Sequence, residues 1–146
     1  AAGDKVLMRL AELMRRHTRS SDRIFRFGGE EFAVVASGAG LSAAARLAEG
    51  LRAAVEAATL LEGHPITISI GVTYMDKAFT PADWLAQADK MLYAAKQGGR
   101  NTVRVAEEYA TVDVISRGRL EIGFVKSGGT EMALGNANPI GVRERF

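Results

Sequence analysis

The residue types and spacing best suited to chemistry occur in one short string, Gly28-Gly29-Glu30-Glu31-Phe32. Two adjacent glycines are expected to adopt positive φ at a hairpin tip and to let a ligand approach the backbone closely. The two carboxylates that follow are hard oxygen ligands of the kind that Mg²⁺ prefers, with phosphate and water completing its shell. Taken alone, the string fits a plain polar hairpin turn about as well. Its interpretation therefore depends on the surrounding elements.

Three predicted helices help to position this string, because apolar residues recur three and four positions apart. The second helix spans Leu41 to Ala57. The third begins at Thr80, which can form a capping box with Asp83, and ends at Gly98. The first helix carries an apolar stripe of Val6, Leu7, Leu10, Leu13 and Met14.

Short strands lie between these helices. Segments 22–27 and 32–37 are β-type runs that the glycine pair joins into a hairpin. Segment 66–73 alternates apolar with small polar residues, which predicts a strand with one buried face. Up to about residue 105 the predicted order is α-ββ-α-β-α-β with a short last strand. Helices alternating with a largely antiparallel sheet predict an α/β fold of the α+β type, a two-layer sandwich.

Composition narrows the class of protein. The 146-residue chain is 47% hydrophobic and has no apolar run of about 18 residues, so we expect a globular protein without a membrane segment. It contains no cysteine and no signal-peptide pattern, which fits a cytoplasmic protein. The net charge of +2 is scattered along the chain, which argues against nucleic acid as a partner. His17 and His64 are interpreted as ordinary surface or turn residues.

Four blocks of the sequence resemble, in order and spacing, the GGDEF family, the diguanylate cyclases. They cover residues 1 to about 105 and are Gly3-Asp4, Arg26-Phe27-Gly28-Gly29-Glu30-Glu31-Phe32, Ile68-Ser69-Ile70-Gly71-Val72, and a closing block from Ala88-Asp89 to Gly99-Arg100-Asn101. The resemblance implies a nucleotide-cyclase-like palm and an enzyme that condenses two GTP molecules into cyclic di-GMP with Mg²⁺ or Mn²⁺. It also implies a homodimer, since the family reaction needs two GTP-loaded sites face to face.

The resemblance gives the two carboxylates catalytic roles. Glu30 is implied as a Mg²⁺ ligand. Glu31 either shares the metal or helps to deprotonate the ribose 3′-hydroxyl, and the sequence leaves both roles open. Gly28 and Gly29 are implied as substrate-binding residues. Attack on an α-phosphate needs charge neutralisation and in-line positioning more than covalent help, which fits this set of residues.

Three further residues are implied to bind the substrate. Asp4 matches the family residue that recognises the guanine edge, although alone it fits a helix N-cap. Lys96 and Arg100 are expected one helical turn apart near a helix C-terminus, where both can face the triphosphate. The alternative for this pair is a solvated basic end that complements the helix dipole.

A second site is implied by Arg19 and Asp22, whose Arg-x-x-Asp pattern resembles the family's inhibitory site for the product. Arginine offers a bidentate fork for guanine or phosphate, and Asp can accept from a guanine edge. The following helix of the family supplies a second arginine, but Gly50 occupies that position here. Arg52 lies two residues further on, about 200° around a helix. We therefore expect weaker product binding than at a complete site.

The family's domain begins before the residue that aligns with Gly3, with a strand that carries another Asp ligand for Mg²⁺. No segment of the sequence resembles that strand, so we expect a domain that is incomplete at its N-terminus, with two unpaired strand edges. A one-sided metal site predicts a weak or inactive chain, because a principal ligand is missing.

The segment 106–146 has a different style and is expected to lie outside the core of residues 1–105. Segments 107–116 and 120–125 predict one more helix and one more strand. The stretch from Ala106 to Phe124 resembles an internal piece of luciferase-like flavin monooxygenases, whose (β/α)₈ barrel binds flavin with several strands. The expected domains are therefore 1–105, of the cyclase type, and 106–146, an extension that resembles a barrel fragment.

Several functions remain open at this point. The leading hypothesis is a diguanylate cyclase module with impaired activity. The alternatives are a non-catalytic cyclic di-GMP-binding module that uses Arg19 and Asp22, a non-functional chimeric fragment, and a flavin oxidoreductase supported only by the segment 106–146.

Overall fold

The computed structural model of the protein describes residues 2–74, 80–106 and 126–127. Within these residues the helices are α1 (Ala2–His17), α2 (Leu41–Ala57) and α3 (Pro81–Gln97). The strands are β1 (Arg23–Arg26), β2 (Phe32–Val35), β3 (Ile70–Val72), β4 (Val103–Val105) and β5 (Lys126–Ser127). The order up to residue 105 is the predicted one.

The strands form one sheet in the order β1-β2-β5-β3-β4. β1 and β2 form an antiparallel hairpin in which Arg26 pairs with Phe32. β5 is antiparallel to both of its neighbours, with Ser127 opposite Phe32 on one side and Ile70 on the other. β3 and β4 are parallel, with Ile70 opposite Val103. The first residues of β2, β3 and β4 therefore share one end of the sheet, called the Phe32 end below.

Helices cover both faces of this sheet. Phe32 and Val34 belong to the larger hydrophobic cluster, which α1 and α2 also supply. Ala33, between them, packs with Trp84 and Ala88 of α3 on the opposite face, since successive side chains of a strand alternate. The mixed helix-and-sheet class and the largely antiparallel sheet are confirmed. The layer count differs from a two-layer sandwich because α3 covers the second face.

This second helical layer also explains why β3 departs from its prediction. Ser69 and Thr73, expected on an open face, are as deeply buried as Ile70. Gly71 lies against the backbone of α3, where an added Cβ would come within 2.5 Å of the Ala88 carbonyl oxygen. The regular strand is limited to Ile70–Val72. The expectation of one buried face was wrong, because α3 covers the second face and the small polar residues on it are buried.

The best-signalled helix is confirmed in detail. The Thr80 side chain accepts from the Asp83 amide, and the Asp83 side chain accepts from the Thr80 amide, which completes the predicted capping box. Gly98 caps the other end. These contacts are local in sequence, and for that reason the pattern of residues alone predicted them.

The strand β5 corrects one expectation about the sheet. Residues 126–127 lie between β2 and β3, so the edges of these strands are paired at Phe32, Ile70 and Gly71. The segment 106–146 thus contributes at least this strand to the sheet, and the division into domains 1–105 and 106–146 stays a prediction. The predicted helix 107–116 and strand 120–125 lie outside the described residues. No helix in the described part of the chain is both long and apolar enough to cross a membrane.

Candidate functional site

The Gly28–Glu31 string forms the tip of the β1–β2 hairpin, as predicted. The Phe27 amide donates to the Glu31 carbonyl oxygen at 2.8 Å, and the Gly28 amide donates to the same oxygen at 3.3 Å. This shared acceptor closes the loop directly before Phe32, the first residue of β2. The backbone of Glu31 is therefore fixed by the hairpin itself.

Arg26 holds the tip from the other strand. Its Nε donates to the Gly28 carbonyl oxygen at 3.3 Å, and its Nη2 donates to the Gly29 carbonyl oxygen at 2.6 Å. The guanidinium thus binds two successive carbonyl groups and brings a positive charge to the tip. This role was not predicted from the sequence, although an arginine two residues before the glycine pair is a usable signal.

The glycines serve a different purpose from the one expected. Positive φ occurs at Gly38, Gly63 and Gly99, and not at Gly28 or Gly29, so the predicted left-handed backbone was wrong. An added Cβ at Gly28 would lie 3.0 Å from Glu31 Oε2, whereas a Cβ at Gly29 meets nothing within 4 Å. Gly28 therefore leaves room for the Glu31 carboxylate, and Gly29 leaves the tip open to an approaching ligand.

The two carboxylates have unequal surroundings. Glu31 is 7% exposed, whereas Glu30 is half-buried beside it. No group of three or more His, Cys, Asp or Glu residues able to hold a metal occurs within the described ranges. A pair of carboxylates fits a Mg²⁺ ion that takes most of its ligands from phosphate and water, rather than an ion bound by protein alone.

The strand register brings the turn that contains Arg100 to the same end of the sheet as the acidic tip. Glu31 directly precedes Phe32, and Arg100 lies three residues before Val103. Phe32 and Val103 both lie at the Phe32 end of the sheet. The hairpin tip and the turn before β4 therefore lie at the same end. Three strand spacings separate β2 from β4, which amounts to about 14 Å.

Lys96 and Arg100 do not share a helix. α3 ends at Gln97, so Lys96 is in its last turn while Arg100 is in the turn beyond. Gly99, Arg100 and Asn101 all have positive φ, at 109°, 61° and 43°. The expected spacing of one helical turn was wrong because the chain leaves the helix at Gly98. Both residues are half-buried. Both also come shortly before β4 in the sequence, and β4 begins at the Phe32 end of the sheet.

Asp4 lies in the first turn of α1, which begins at Ala2. It is therefore inside the helix rather than at its N-cap, and its exposed carboxylate complements the positive end of the helix dipole. Arg19 follows the other end of α1, about 20 Å away along the helix. The two implied ligand contacts, at Asp4 and Arg19, are thus well separated.

Arg19 and Asp22 come together at the opposite end of the hairpin from the tip. The Arg19 amide donates to Asp22 Oδ2 at 2.8 Å, and Arg19 Nη2 donates to Asp22 Oδ1 at 3.3 Å. Arg19 Nη2 also lies 3.4 Å from the Ser37 carbonyl oxygen. The side chain of Asp22 is 1% exposed, but that of Arg19 is 61% exposed. Asp22 thus orients the arginine, and about 17 Å of strand separates this pair from the tip.

A polar network that sequence analysis missed joins α2 to the turn that contains Arg100. Arg52 donates to Glu49, Glu56 and Asn101, while the Asn101 Nδ2 donates to Glu56 Oε1. The spacing of Glu49 and Glu56, three before and four after Arg52, is a signal for the helical part. The contact with Asn101, 49 residues away in sequence, has no local signal.

This chain is similar in sequence to a known protein family and to several of its members. The family model described as "Diguanylate cyclase, GGDEF domain" matches residues 1–102. Diguanylate cyclase A of Treponema denticola is 40% identical over an alignment of 111 residues, and the match covers 73% of this chain and 30% of that protein. Diguanylate cyclase DgcP of Pseudomonas aeruginosa is 42% identical over an alignment of 108 residues, and the match covers 72% of this chain and 16% of that protein. The chain thus spans less than a third of the length of these curated relatives.

Solved structures give the same result for the fold. The active GGEEF domain of a diguanylate cyclase from Vibrio cholerae is 31% identical with a TM-score of 0.66, and the match covers 70% of this chain and 67% of that chain. The GGDEF domain of DgcB from Caulobacter crescentus, solved in complex with c-di-GMP, is 31% identical with a TM-score of 0.66. That match covers 71% of this chain and 64% of the other.

Proposed function

The chain belongs to the GGDEF family of diguanylate cyclases, and from this membership we propose that it is a nucleotide-binding cyclase module with reduced turnover. The substrate would be GTP, held with a divalent ion along the Phe32 end of the sheet, and the product would be cyclic di-GMP. The observation that carries this proposal is the strand register, which brings the acidic tip and the turn with Arg100 to the Phe32 end of the sheet.

The acidic tip supplies the reacting end of the site. Glu30 would hold Mg²⁺ or Mn²⁺, and the bound ion would neutralise the phosphate charge and orient the α-phosphate. Gly29 leaves the tip open, so the phosphate can approach the backbone closely. Glu31 is buried, and its carbonyl oxygen accepts the two hydrogen bonds that close the loop. Its carboxylate would either share the ion or accept the 3′-hydroxyl proton.

The remaining contacts would position the nucleotide. Lys96 and Arg100 would bind the triphosphate as a point charge and as a planar fork. Asp4 would accept hydrogen bonds from the guanine edge. In each of two equivalent steps, the 3′-oxygen of one GTP would bond to the α-phosphorus of the other and pyrophosphate would leave. Two copies of the chain facing each other would therefore yield one cyclic di-GMP and two pyrophosphates.

Reduced turnover follows from the strand beside the tip. β5 lies next to β2 and consists of Lys126 and Ser127, neither of which is acidic. Among the residues that the structure describes, the ion would then take its protein ligands from the tip. With fewer acidic ligands, the ion would be held less firmly and would neutralise the charge of the transition state less well. This should slow phosphoryl transfer more than it weakens nucleotide binding.

A second function is favoured by the exposure of Arg19. Its guanidinium is oriented by buried Asp22 and remains accessible, which suits capture of a guanine or phosphate of cyclic di-GMP. This would be a regulatory or sensing site, separate from the tip. Cyclic di-GMP binding that survives changes at Glu30 but not at Arg19 would support it.

The direct test is to incubate the full 146-residue chain with GTP and Mg²⁺ and to separate the nucleotides by chromatography. We expect GTP to bind in a Mg²⁺-dependent manner and cyclic di-GMP to form slowly or not at all. Rapid synthesis would overturn the proposal of reduced turnover. If GTP fails to bind to folded protein, the proposed substrate is wrong for this chain.

A further inference from the structure

The side chain of Arg52 is the centre of the most extensive polar network in the described part of the chain. Its Nε and Nη2 both donate to Glu49 Oε1, at 2.9 and 2.7 Å. Its Nη1 donates to Glu56 Oε2 at 2.7 Å and to Asn101 Oδ1 at 2.9 Å. All three guanidinium nitrogens are thereby engaged, and the side chain is only 16% exposed.

Asn101 closes the network into a triangle. Its amide oxygen accepts from Arg52, while its amide nitrogen donates to Glu56 Oε1 at 2.8 Å. Both polar atoms of this side chain are therefore used, and both partners belong to α2. These contacts favour the ionised form of Glu56, because the hydrogen bonds from Arg52 and Asn101 hold the pKa of its carboxyl below the ordinary value.

The segment that this triangle holds has an unusual backbone. Three successive residues, Gly99, Arg100 and Asn101, have positive φ. For a residue other than glycine, the left-handed conformation is unfavourable, because the Cβ comes too close to the backbone. The Arg100 amide donates to the Ala95 carbonyl oxygen at 3.1 Å, which ties the turn to the last turn of α3. A backbone of this kind persists only where surrounding contacts stabilise it, and the side chain of Asn101 supplies such a contact.

We infer that Arg52, Glu56 and Asn101 form a clamp that fixes the 99–101 turn and so positions Arg100 for the nucleotide triphosphate. The inference rests on the proposed function, in which Arg100 binds the triphosphate. Arg52 acts through Asn101 and touches no substrate, so it is a positioning residue. These contacts also engage the guanidinium of Arg52, so we do not expect it to replace the arginine that the family pattern places at Gly50.

The first test measures the turn itself, without nucleotide. In Arg52→Ala, hydrogen exchange of the Arg100 amide, followed by NMR, should accelerate by roughly tenfold to 150-fold, the scale set by one hydrogen bond to a charged group. The Gly98 amide, which donates to the Ala94 carbonyl oxygen at 2.9 Å, is the internal control and should not change. Arg46→Ala is the matched variant, since Arg46 lies on the same helix and binds only Ser42 Oγ among the contacts seen in the described residues. Unchanged exchange at Arg100 would overturn the clamp.

The second test measures binding of GTP with Mg²⁺ in the full chain. Arg52→Ala should raise the Kd for GTP by roughly threefold to thirtyfold, the range of remote positioning effects, whereas Arg46→Ala should leave it unchanged. In an Arg100→Ala background, Arg52→Ala should cause no further loss, because its effect passes through Arg100. Arg52→Lys should resemble Arg52→Ala, since lysine has no planar fork.

Outcomes separate the clamp from the function on which it rests. Additive losses in the double variant would show that Arg52 only stabilises the fold, and would overturn its positioning role. If the wild-type chain does not bind GTP, the proposed function fails and the triphosphate role of the clamp fails with it. Faster exchange at Arg100 in Arg52→Ala would in that case still establish that the network fixes the turn.

Discussion

Gly50 offers a gain-of-function change whose size follows from the structure. It lies in the middle of α2, is exposed, and an added Cβ there would meet nothing within 4 Å. Any ordinary side chain therefore fits. Replacement of an exposed helical glycine by Ala or Arg should raise the free energy of unfolding by about 0.8–1 kcal/mol through helix propensity alone. Gly50→Ala and Gly50→Arg should share this stabilisation, so their difference isolates the guanidinium.

The guanidinium should act on cyclic di-GMP. If Arg19 and Asp22 form the product site, Gly50→Arg restores the second arginine that the family pattern places there. One hydrogen bond to a charged group contributes about 1.5–3 kcal/mol, so the Kd for cyclic di-GMP should fall by roughly tenfold to 150-fold relative to Gly50→Ala. Arg52 is bound to Glu49 and Glu56 and should not compete for the ligand.

Titration calorimetry with cyclic di-GMP on the wild type and both variants is the assay, with urea unfolding as the check on stability. The reasoning would be refuted if both variants gained stability equally and bound cyclic di-GMP with the same Kd. Tighter binding by Gly50→Ala as well would show that the effect comes from α2 and not from the added charge.

Three further predictions concern packing, the second site and pH. Gly71→Ala should lower the free energy of unfolding by about 3 kcal/mol, because the added Cβ meets the backbone of α3; an unchanged urea midpoint would contradict that packing. Arg19→Ala should weaken cyclic di-GMP binding by roughly 1–3 kcal/mol and leave the turn folded, since Asp22 keeps its bond to the main-chain amide of residue 19; superimposable titration curves would refute the assignment. The pKa of the Glu56 carboxyl is lowered in the folded protein, so its ionised form stabilises the fold at pH values above its ordinary pKa of 4.5. This contribution is lost as the pH falls through the lowered pKa. Glu56→Gln should therefore lose less stability on acidification than the wild type, as measured by thermal unfolding between neutral and acid pH.

The sequence predicted best those features that depend on neighbours in the chain. The limits of α2 and the capping box of Thr80 and Asp83 are local, and both were predicted correctly. The carboxylate pair at the hairpin tip also followed from adjacent residues. The helix–turn boundary after Gly98 was recognised, but its consequence for Arg100 was not, because the left-handed turn depends partly on a contact with α2.

Features that depend on distant segments could not be predicted in the same way. The burial of Ser69 and Thr73 requires α3 on the second face of the sheet, and alternation of residue types does not reveal how many layers cover a strand. The pairing of β5 with β2 and β3 joins residues more than 50 positions apart. The role of Gly28 as space for the Glu31 carboxylate likewise appears only in three dimensions.

The most direct test of the account is a calorimetric titration of the full chain with GTP in the presence and absence of Mg²⁺. The wild type and Glu30→Ala should be compared, with Glu12→Ala as the control for an exposed carboxylate on α1. The account predicts Mg²⁺-dependent binding that Glu12→Ala retains and Glu30→Ala loses. Equal binding by Glu30→Ala, or binding that does not depend on Mg²⁺, would contradict the claim that the hairpin tip holds a metal-bound nucleotide.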